Sequence, residues 1–320
     1  VAANRPRSLQ LYDPVLSNLA RRYKPNGFIA RRLLPSIPVS LLSGQYPVFT
    51  DEYWFKEHTD NRVSDRAPAR EVDFEWSTES YLCEEYALKV SITDLERRQA
   101  DAALKLEFNK TDLLSHQMEL SHEIRVAALL NTQDAGGGFD NAHDSTPSTN
   151  WDQATATIEE DIKDGVLQVY DTCGGIVPNV IVIPFKVAYE MATQEDIRSL
   201  LRYDASGKSV DFIQLGNRVL PSVIHGMQVI IPQGAQKMTG NEGGSTTVSE
   251  IWGDDVRLLY TDPNAGWGIP SCAYELRHTP KRVTRWRETD PDVEYIREME
   301  RYDLKVVAPK AGFIIKDVLS

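Results

Sequence analysis

With 320 residues, the chain is long enough to bury a substantial core, as one large domain or two smaller ones. Its 41% hydrophobic and 26% charged content is that of an ordinary folded protein, and no apolar run approaches the ~20 residues that cross a bilayer. A net charge of −12 works against wholesale wrapping of nucleic acid, whose phosphates demand lysine and arginine.

Residues 1–7 carry arginine with no apolar stretch behind them, so no signal peptide is visible and cytosolic production is expected. Cys83, Cys173 and Cys272 lie far apart and form no CxxC pair, which fits reduced structural cysteines better than a disulfide framework or a zinc site. The charge is unevenly placed. Residues 1–32 hold seven basic side chains (Arg5, Arg7, Arg21, Arg22, Lys24, Arg31, Arg32) against Asp13, a net of +6, leaving −18 for the remainder. Residues 51–85 hold eleven acids and four bases, a net of −7. A basic arm and an acidic segment on one chain suit contacts between copies; two solvated surfaces that never meet are the plainer alternative.

In chain order, residues 1–43 read as an arm, because Pro6, Pro14, Pro25, Pro35 and Pro38 prevent a long helix while Leu16, Leu19, Phe28, Ile29, Leu33 and Leu34 give it apolar anchors. Residues 44–92 read as a long hairpin. Tyr46, Val48 and Phe49 mark the outgoing limb, and Val72, Phe74 and Trp76 alternate with acids on the return. The polar residues 56–69 form the tip, and Leu82, Tyr86, Leu88, Val90 and Ile92 continue the alternation. Each limb of nearly 20 residues would reach about 60 Å. Thr93-Asp94-Leu95-Glu96 is a capping box, and residues 92–135 contain no glycine or proline, so a helix over 93–131 is expected, about 58 Å if unbroken, with a break near Asn109 as the alternative. Leu113, Leu120, Ile124 and Ala127, with Leu114 and Met118 beside them, supply its apolar spacing. A compact protein of this size has a radius of gyration of about 20 Å, so two elements this long need a neighbour or a flat, elongated body.

Residues 134–149 are rich in Gly, Asp and Ser and read as a long loop. A helix is expected from Asn150 to Gly174-Gly175, a short apolar strand over 180–183, and a helix opened by Pro184 that carries Ala188, Met191, Ile197, Leu200 and Leu201. Residues 223–231 read as one strand, 234–247 as a loop and 251–260 as extended. The tail, 294–318, reads as strands around a turn at 309–312.

The search for chemistry returns little. Gly207-Lys208-Ser209 imitates the end of a phosphate-binding loop, but the glycine required at 202 is Arg202, so a turn is the better reading. His122-Glu123 begins like HExxH, yet position 126 is Val126; His116 and His122 point about 240° apart around a helix and cannot share a metal. His58, His143, His225 and His278 are isolated. Adjacent acids, such as Glu84-Glu85, Glu159-Glu160 and Asp254-Asp255, point in different directions in any regular element. Lys281-Arg282-Val283-Thr284-Arg285-Trp286-Arg287 joins four bases to one aromatic; it reads as a strand paired with a neighbour's acids ahead of a nucleic-acid patch. No catalytic, metal or cofactor site is expected.

The order of parts resembles the major capsid proteins of tailed bacteriophages with the Hong Kong 97-type capsid fold. Leu11-Tyr12-Asp13-Pro14-Val15-Leu16, Phe28-Ile29-Ala30 and Leu34-Pro35-Ser36-Ile37-Pro38-Val39 resemble the openings of such proteins. Ile251-Trp252-Gly253-Asp254-Asp255-Val256 is similar to their late axial segment, and Arg301-Tyr302-Asp303-Leu304-Lys305-Val306-Val307 with Ala311-Gly312-Phe313-Ile314-Ile315-Lys316-Asp317 to their tails. The resemblance implies an α+β fold: an N-terminal arm (1–43), an extended hairpin loop (44–92), a peripheral domain with a spine helix (93–149), an axial domain (150–280) and a return to the peripheral domain (281–320). It implies that residues 1–35 cross onto an adjacent copy and that the 234–247 loop lies near the capsomer axis. It further implies a virion subunit, assembled in the host bacterial cytoplasm into hexamers and pentamers of an icosahedral shell around double-stranded DNA. Scaffolding, portal and decoration proteins would be separate partners, DNA would be touched non-specifically at the inner surface, and no membrane is involved.

Some members of that family join a hairpin-loop lysine to an asparagine near the C-terminus. Lys56 could serve, but residues 265–320 contain no asparagine, so no such cross-link is expected. Arg21, Arg22, Arg31 and Arg32 on the arm, with Arg62 and Arg66 near the hairpin tip, are the candidates for inter-subunit ion pairs. The rival readings are an encapsulin-like compartment shell, a phage tail or joining protein built of stacked rings, and an enzyme with an unrecognised site.

Overall fold

The computed structural model describes residues 11–48 (except 24 and 26), 62–63, 68–69, 71, 77–99, 106–133, 138–195, 197, 212–233, 236–239, 247–264, 266–267, 270–289 and 292–320. Strand β1 (Leu11–Tyr12) leads into helix α1 (Pro14–Arg22). Asp13 caps that helix, its carboxylate accepting from the Val15 and Leu16 N–H groups at 3.0 Å, and Pro14 occupies the first turn, where no N–H is needed. A short helix α2 (Ala30–Leu33) and strand β2 (Ser36–Pro38) follow.

Strands β3 (Ser43–Val48) and β4 (Ser77–Leu82) are antiparallel, with Ser43 opposite Leu82 and Val48 opposite Ser77. They form the base of the expected hairpin; most of 49–76, including Val72, Phe74 and Trp76, lies outside the described residues. The return limb then changes partner. Strand β5 (Glu84–Thr93) pairs not with the outgoing limb but with the late strand Asp292–Val306, Glu84 opposite Tyr302 and Thr93 opposite Val293. The outgoing strand begins only at Ser43, so it has nothing to offer beyond Leu82, whereas the late strand supplies a ten-residue ladder.

The capping box forms as expected: the Thr93 N–H donates to Glu96 Oε2 at 3.0 Å and the Glu96 N–H to Thr93 Oγ1 at 3.2 Å. Helix α3 (Asp94–Gln99) follows, then helix α4 (Leu106–Asn131), which runs through Asn109 without a break. At 26 residues α4 is about 39 Å long. Residues 100–105 fall outside the described set, so the expected single helix over 93–131 is described only in these two parts. Leu114, Met118 and Ala127 are buried as anticipated, but Leu113 faces solvent.

The second half supplies β6 (Asp144–Ser145), α5 (Ile158–Thr172), β7 (Val180–Val182), α6 (Phe185–Met191), the hairpin β8 (Phe212–Leu215) and β9 (Arg218–Pro221), and β10 (Val223–Ile224) with β11 (Met227–Ile230). Strands β12 (Gln236–Thr239), β13 (Thr247–Glu250) and β14 (Val256–Leu259) lead to a long antiparallel pair, β15 (Ala273–Thr289) and β16 (Asp292–Val306); β17 (Gly312–Ile315) ends the chain's regular structure. One sheet runs β1-β15-β16-β5, with β2 also on β15; the other runs β10-β11-β7-β14-β17-β6. Residue 280, where the axial reading stopped, falls inside β15.

Three expectations are corrected locally. The helix expected from Asn150 starts at Ile158, because 150–157 turn to bury Trp151, whose backbone N–H donates to Val318 O and whose Nε1–H donates to Asp161. The supposed strand 223–231 is a hairpin, turned by His225 and Gly226 at φ 47° and 81°. Residues 251–254 turn before β14 begins, with Gly253 at φ 64°. The main core joins the six-stranded sheet to α5, α6 and the C-terminal half of α4; a smaller one (Leu16, Ala20, Ile92, Leu114, Val283, Ile296) joins α1 and α4 to one face of the β15–β16 sheet.

Candidate assembly site

The buried face of α4 is half polar. Thr111, Ser115, Glu119, His122 and Glu123 alternate there with Leu114, Met118, Val126 and Ala127, and they meet charged residues from β15 and β16. Glu119 lies 3.0 Å from Arg31 Nε and 2.5 Å from Lys281 Nζ. Arg31 also reaches Glu300 at 2.9 Å and Glu275 at 3.4 Å. Lys281 lies 3.2 Å from Glu298, which accepts from Ser115 Oγ at 2.6 Å. Glu275 takes Arg277 at 2.7 Å and stands 3.6 Å from His122 Nε2. The network thus ties the arm, the helix and both long strands together.

Burial opposes the Arg31, Glu275 and Glu298 charges, and the balance against their partners differs between them. It works against the Arg31 charge, yet Glu300, Glu275 and Glu119 raise its pKa further above the ordinary value. It works against the Glu275 charge too, but His122, Arg31 and Arg277 hold that carboxyl well below the usual range. For Glu298 burial wins over Lys281 and Ser115, and its pKa is raised. Beside the network, Glu123 accepts from the Ile29 and Ala30 N–H groups and from Trp252 Nε1, at 2.8 to 3.2 Å. It therefore caps α2 and holds the 251–254 turn against the helix.

Arg31, one of the expected inter-subunit cations, makes ion pairs within the subunit, and the described residues of the arm pack on their own chain through buried Leu16, Ala20, Ile29, Ala30, Leu33 and Leu34. Arg21 is exposed and donates to Lys281 O at 2.9 Å. Arg22, Arg32 and Arg62 are exposed; Arg66 lies outside the described residues, as do Lys56 and the 207–209 turn. His116 stacks on Phe28 at 5.5 Å, apart from His122.

The basic run 281–287 is a strand, as expected, but its acids come from its own chain. Lys281 points under α4, Arg285 pairs with Asp13 at 3.3 Å, and Arg287 pairs with Asp292 at 2.8 Å. Asp254 and Asp255, expected to diverge, are brought together with Asp317, their carboxylates within 4.8 Å of one another. Reading the sequence missed the carboxylates of the network. The available signal was Glu119, His122 and Glu123 in helical phase with Met118 and Val126, where a solvated face has no apolar neighbours.

A spine helix laid across a long-stranded sheet, a hairpin based on β3–β4 and a second unit around a six-stranded sheet define the capsid fold of the Hong Kong 97 type. The chain is 23% identical to the major capsid protein of Burkholderia phage BcepMu over 318 residues, 97% of each chain. A phage-related protein of Bordetella bronchiseptica superimposes with a TM-score of 0.73 at 17% identity, covering 97% of this chain and 98% of that one. The mature capsid subunit of bacteriophage PhiM1 gives 0.55 at 10% identity, over 93% and 89%. The SrpI encapsulin of Synechococcus elongatus gives 0.53 at 14% identity, over 96% and 95%. No family model matches the chain. The resemblance read from the sequence thus holds: the chain is similar to a phage major capsid protein over 97% of its length and has the capsid fold.

Proposed function

We propose that this chain is a phage major capsid protein that forms hexamers and pentamers of an icosahedral head enclosing double-stranded DNA, and that it is not an enzyme. The observation that carries the reading is the match over 97% of both chains to a phage major capsid protein. The parts divide the labour as the resemblance implies. The arm, the hairpin loop (44–92), the helix-and-sheet peripheral unit and the axial unit around the six-stranded sheet each offer a different surface to neighbours. Many weak contacts multiplied over a closed lattice give the stability. Assembly takes place in the host cytoplasm with separate scaffolding and portal proteins, and with decoration proteins where the head carries them.

Arg21, Arg22, Arg31, Arg32, Arg62 and Arg66 are the proposed inter-subunit cations, Arg31 being paired within its own subunit as well. Electron microscopy of the purified protein tests the reading: closed shells support it, and rings or small soluble particles overturn it. The encapsulin match favours a second reading, a compartment shell. The contents of particles purified from a natural lysate separate the two, DNA for a head and protein cargo for a compartment.

A further inference from the structure

The ion pairs between α4 and the β15–β16 strands do not balance. Four buried carboxylates, Glu119, Glu275, Glu298 and Glu300, meet three permanent cations, Arg31, Arg277 and Lys281. The groups at the margin leave the deficit as it is. Glu123 takes N–H donors from Ile29, Ala30 and Trp252, while Arg125 donates to the Tyr302 hydroxyl at 2.7 Å and lies over the Tyr86 ring of β5, so this flanking acid and base offset each other. His122 is fully buried, with Nε2 3.6 Å from Glu275 and its ring 5.1 Å from that of Tyr302. A buried cluster one positive charge short is unfavourable, and a bound proton is the remedy that needs no further residue. The distances say where it sits. Glu275 has Arg31 and Arg277, Glu119 has Arg31 and Lys281, and Glu300 has Arg31 at 2.9 Å. Glu298 has only Lys281, at 3.2 Å, and that ammonium stands nearer Glu119, at 2.5 Å. Glu298 Oε1 accepts no hydrogen bond among the described residues. A proton on His122 would face Glu275, which already has two cations, and would leave Glu298 uncompensated.

We propose that Glu298 holds this proton in the folded subunit at neutral pH, and that its loss as pH rises releases residues 111–123 of α4 from the β15–β16 strands. Burial supports the assignment by raising the Glu298 pKa above the ordinary 4.5, with a smaller push from Glu300, against Lys281 and Ser115. A raised value means that the folded chain keeps a proton which the unfolded chain has already given up. The stability it contributes is therefore complete below about pH 4.5 and is lost as pH rises through the folded value. Once ionised, Glu298 is a buried carboxylate under Ser115, and separating the helix from the strand lets water reach it. The release stays local, because Val126, Ala127 and Leu130 hold the C-terminal end of α4 in the main core.

Hydrogen exchange of the purified chain, read by mass spectrometry across a pH series and corrected for the intrinsic rate of each peptide, tests this. In the wild type the opening constant of residues 111–123 should grow about tenfold per pH unit once the proton is lost, while residues 126–131 keep their protection. In Glu298→Gln, a neutral side chain of the same shape, the opening constant of 111–123 should not change with pH. The same pH dependence in both proteins, or opening that spreads equally through 126–131, overturns the proposal. Ser115→Ala provides a second, milder measurement, decisive if Glu298→Gln does not fold. It removes a donor from the carboxylate, so the pH at which 111–123 opens should move upward. An unchanged or lower opening pH in Ser115→Ala overturns the proposal.

Discussion

Arg31 shows how much one arm residue can carry. Its guanidinium meets three carboxylates from three elements, and removing it leaves Glu119, Glu275 and Glu300 facing one another with only Lys281, Arg277 and His122 in reach. Arg31→Ala is expected to destabilise the subunit by about 3 kcal/mol, near the low end for a broken buried pair because the side chain is 28% exposed. Arg31→Lys should recover part of this, since a point charge reaches fewer of the three acids. Urea unfolding midpoints of the two variants check the order. His143 sets a pH dependence at the same scale. It is buried, its Nδ1–H donates to Gly312 O (3.1 Å), its Nε2 lies 2.9 Å from Thr172 Oγ1, and burial lowers its pKa below the ordinary 6.5. A depressed value means that the unfolded chain binds the proton first. The stability His143 contributes is therefore present above pH ~6.5 and is lost as pH falls through the folded value. The unfolding midpoint should drop more steeply as pH falls below about 6.5 in the wild type than in His143→Gln.

At the scale of elements, two glycines are required by contact rather than by backbone angle. A Cβ at Gly165 in α5 would stand 2.8 Å from the Phe313 ring and 3.2 Å from Leu258. A Cβ at Gly312 in β17 would stand 2.3 Å from the Phe139 ring. Glycine to alanine inside a helix normally stabilises by about 1 kcal/mol. Here Gly165→Ala is expected to reverse that sign and destabilise by about 1–2 kcal/mol, because α5 must lift from the sheet to admit the methyl group. Gly312→Ala should cost more, since Phe139 is fully buried and its ring cannot swing aside. Thermal melts of both variants against Gly226→Ala, whose Cβ would meet nothing within 4 Å but whose φ of 81° strains alanine, separate packing from backbone cost. The elements were legible wherever one signal sufficed, as with the Thr93–Glu96 box and Gly174-Gly175 after α5, whereas Asp13 with Pro14, the cap and first turn of α1, was read only as part of an arm. They were misread where burial overrode the pattern. Trp151 turned 150–157 away from helix, and the pull of β16 on β5 took the return limb from its hairpin.

At the scale of the whole molecule, two outcomes follow from the proposed self-assembly. Charge reversal at Arg21, Arg22 and Arg32 should weaken shell assembly and shift its salt dependence while the isolated subunit melts as before, because these side chains face solvent. Light scattering of assembly across ionic strengths checks this; unchanged curves would remove the arm from the inter-subunit contacts. Mature shells should also dissociate into single chains on a denaturing gel, since residues 265–320 offer no asparagine to a hairpin lysine. A covalent ladder would contradict that.

The sequence by itself determined the order of the elements. Periodicity, caps and turn residues act over a few positions, so they can be read locally, and their order along the chain resembles that of a capsid subunit. Tertiary structure decided which charges are used within the subunit. Arg31 and Lys281 look like surface bases in the sequence, and Glu119, Glu275, Glu298 and Glu300 look like surface acids. Up to about 270 positions separate the partners, and only the packing of α4 against β15 and β16 brings them within ion-pair distance. The same packing leaves Lys89 and Arg282 exposed. Which bases remain for a neighbour is settled by which face of a strand is covered, and no spacing along the chain records that.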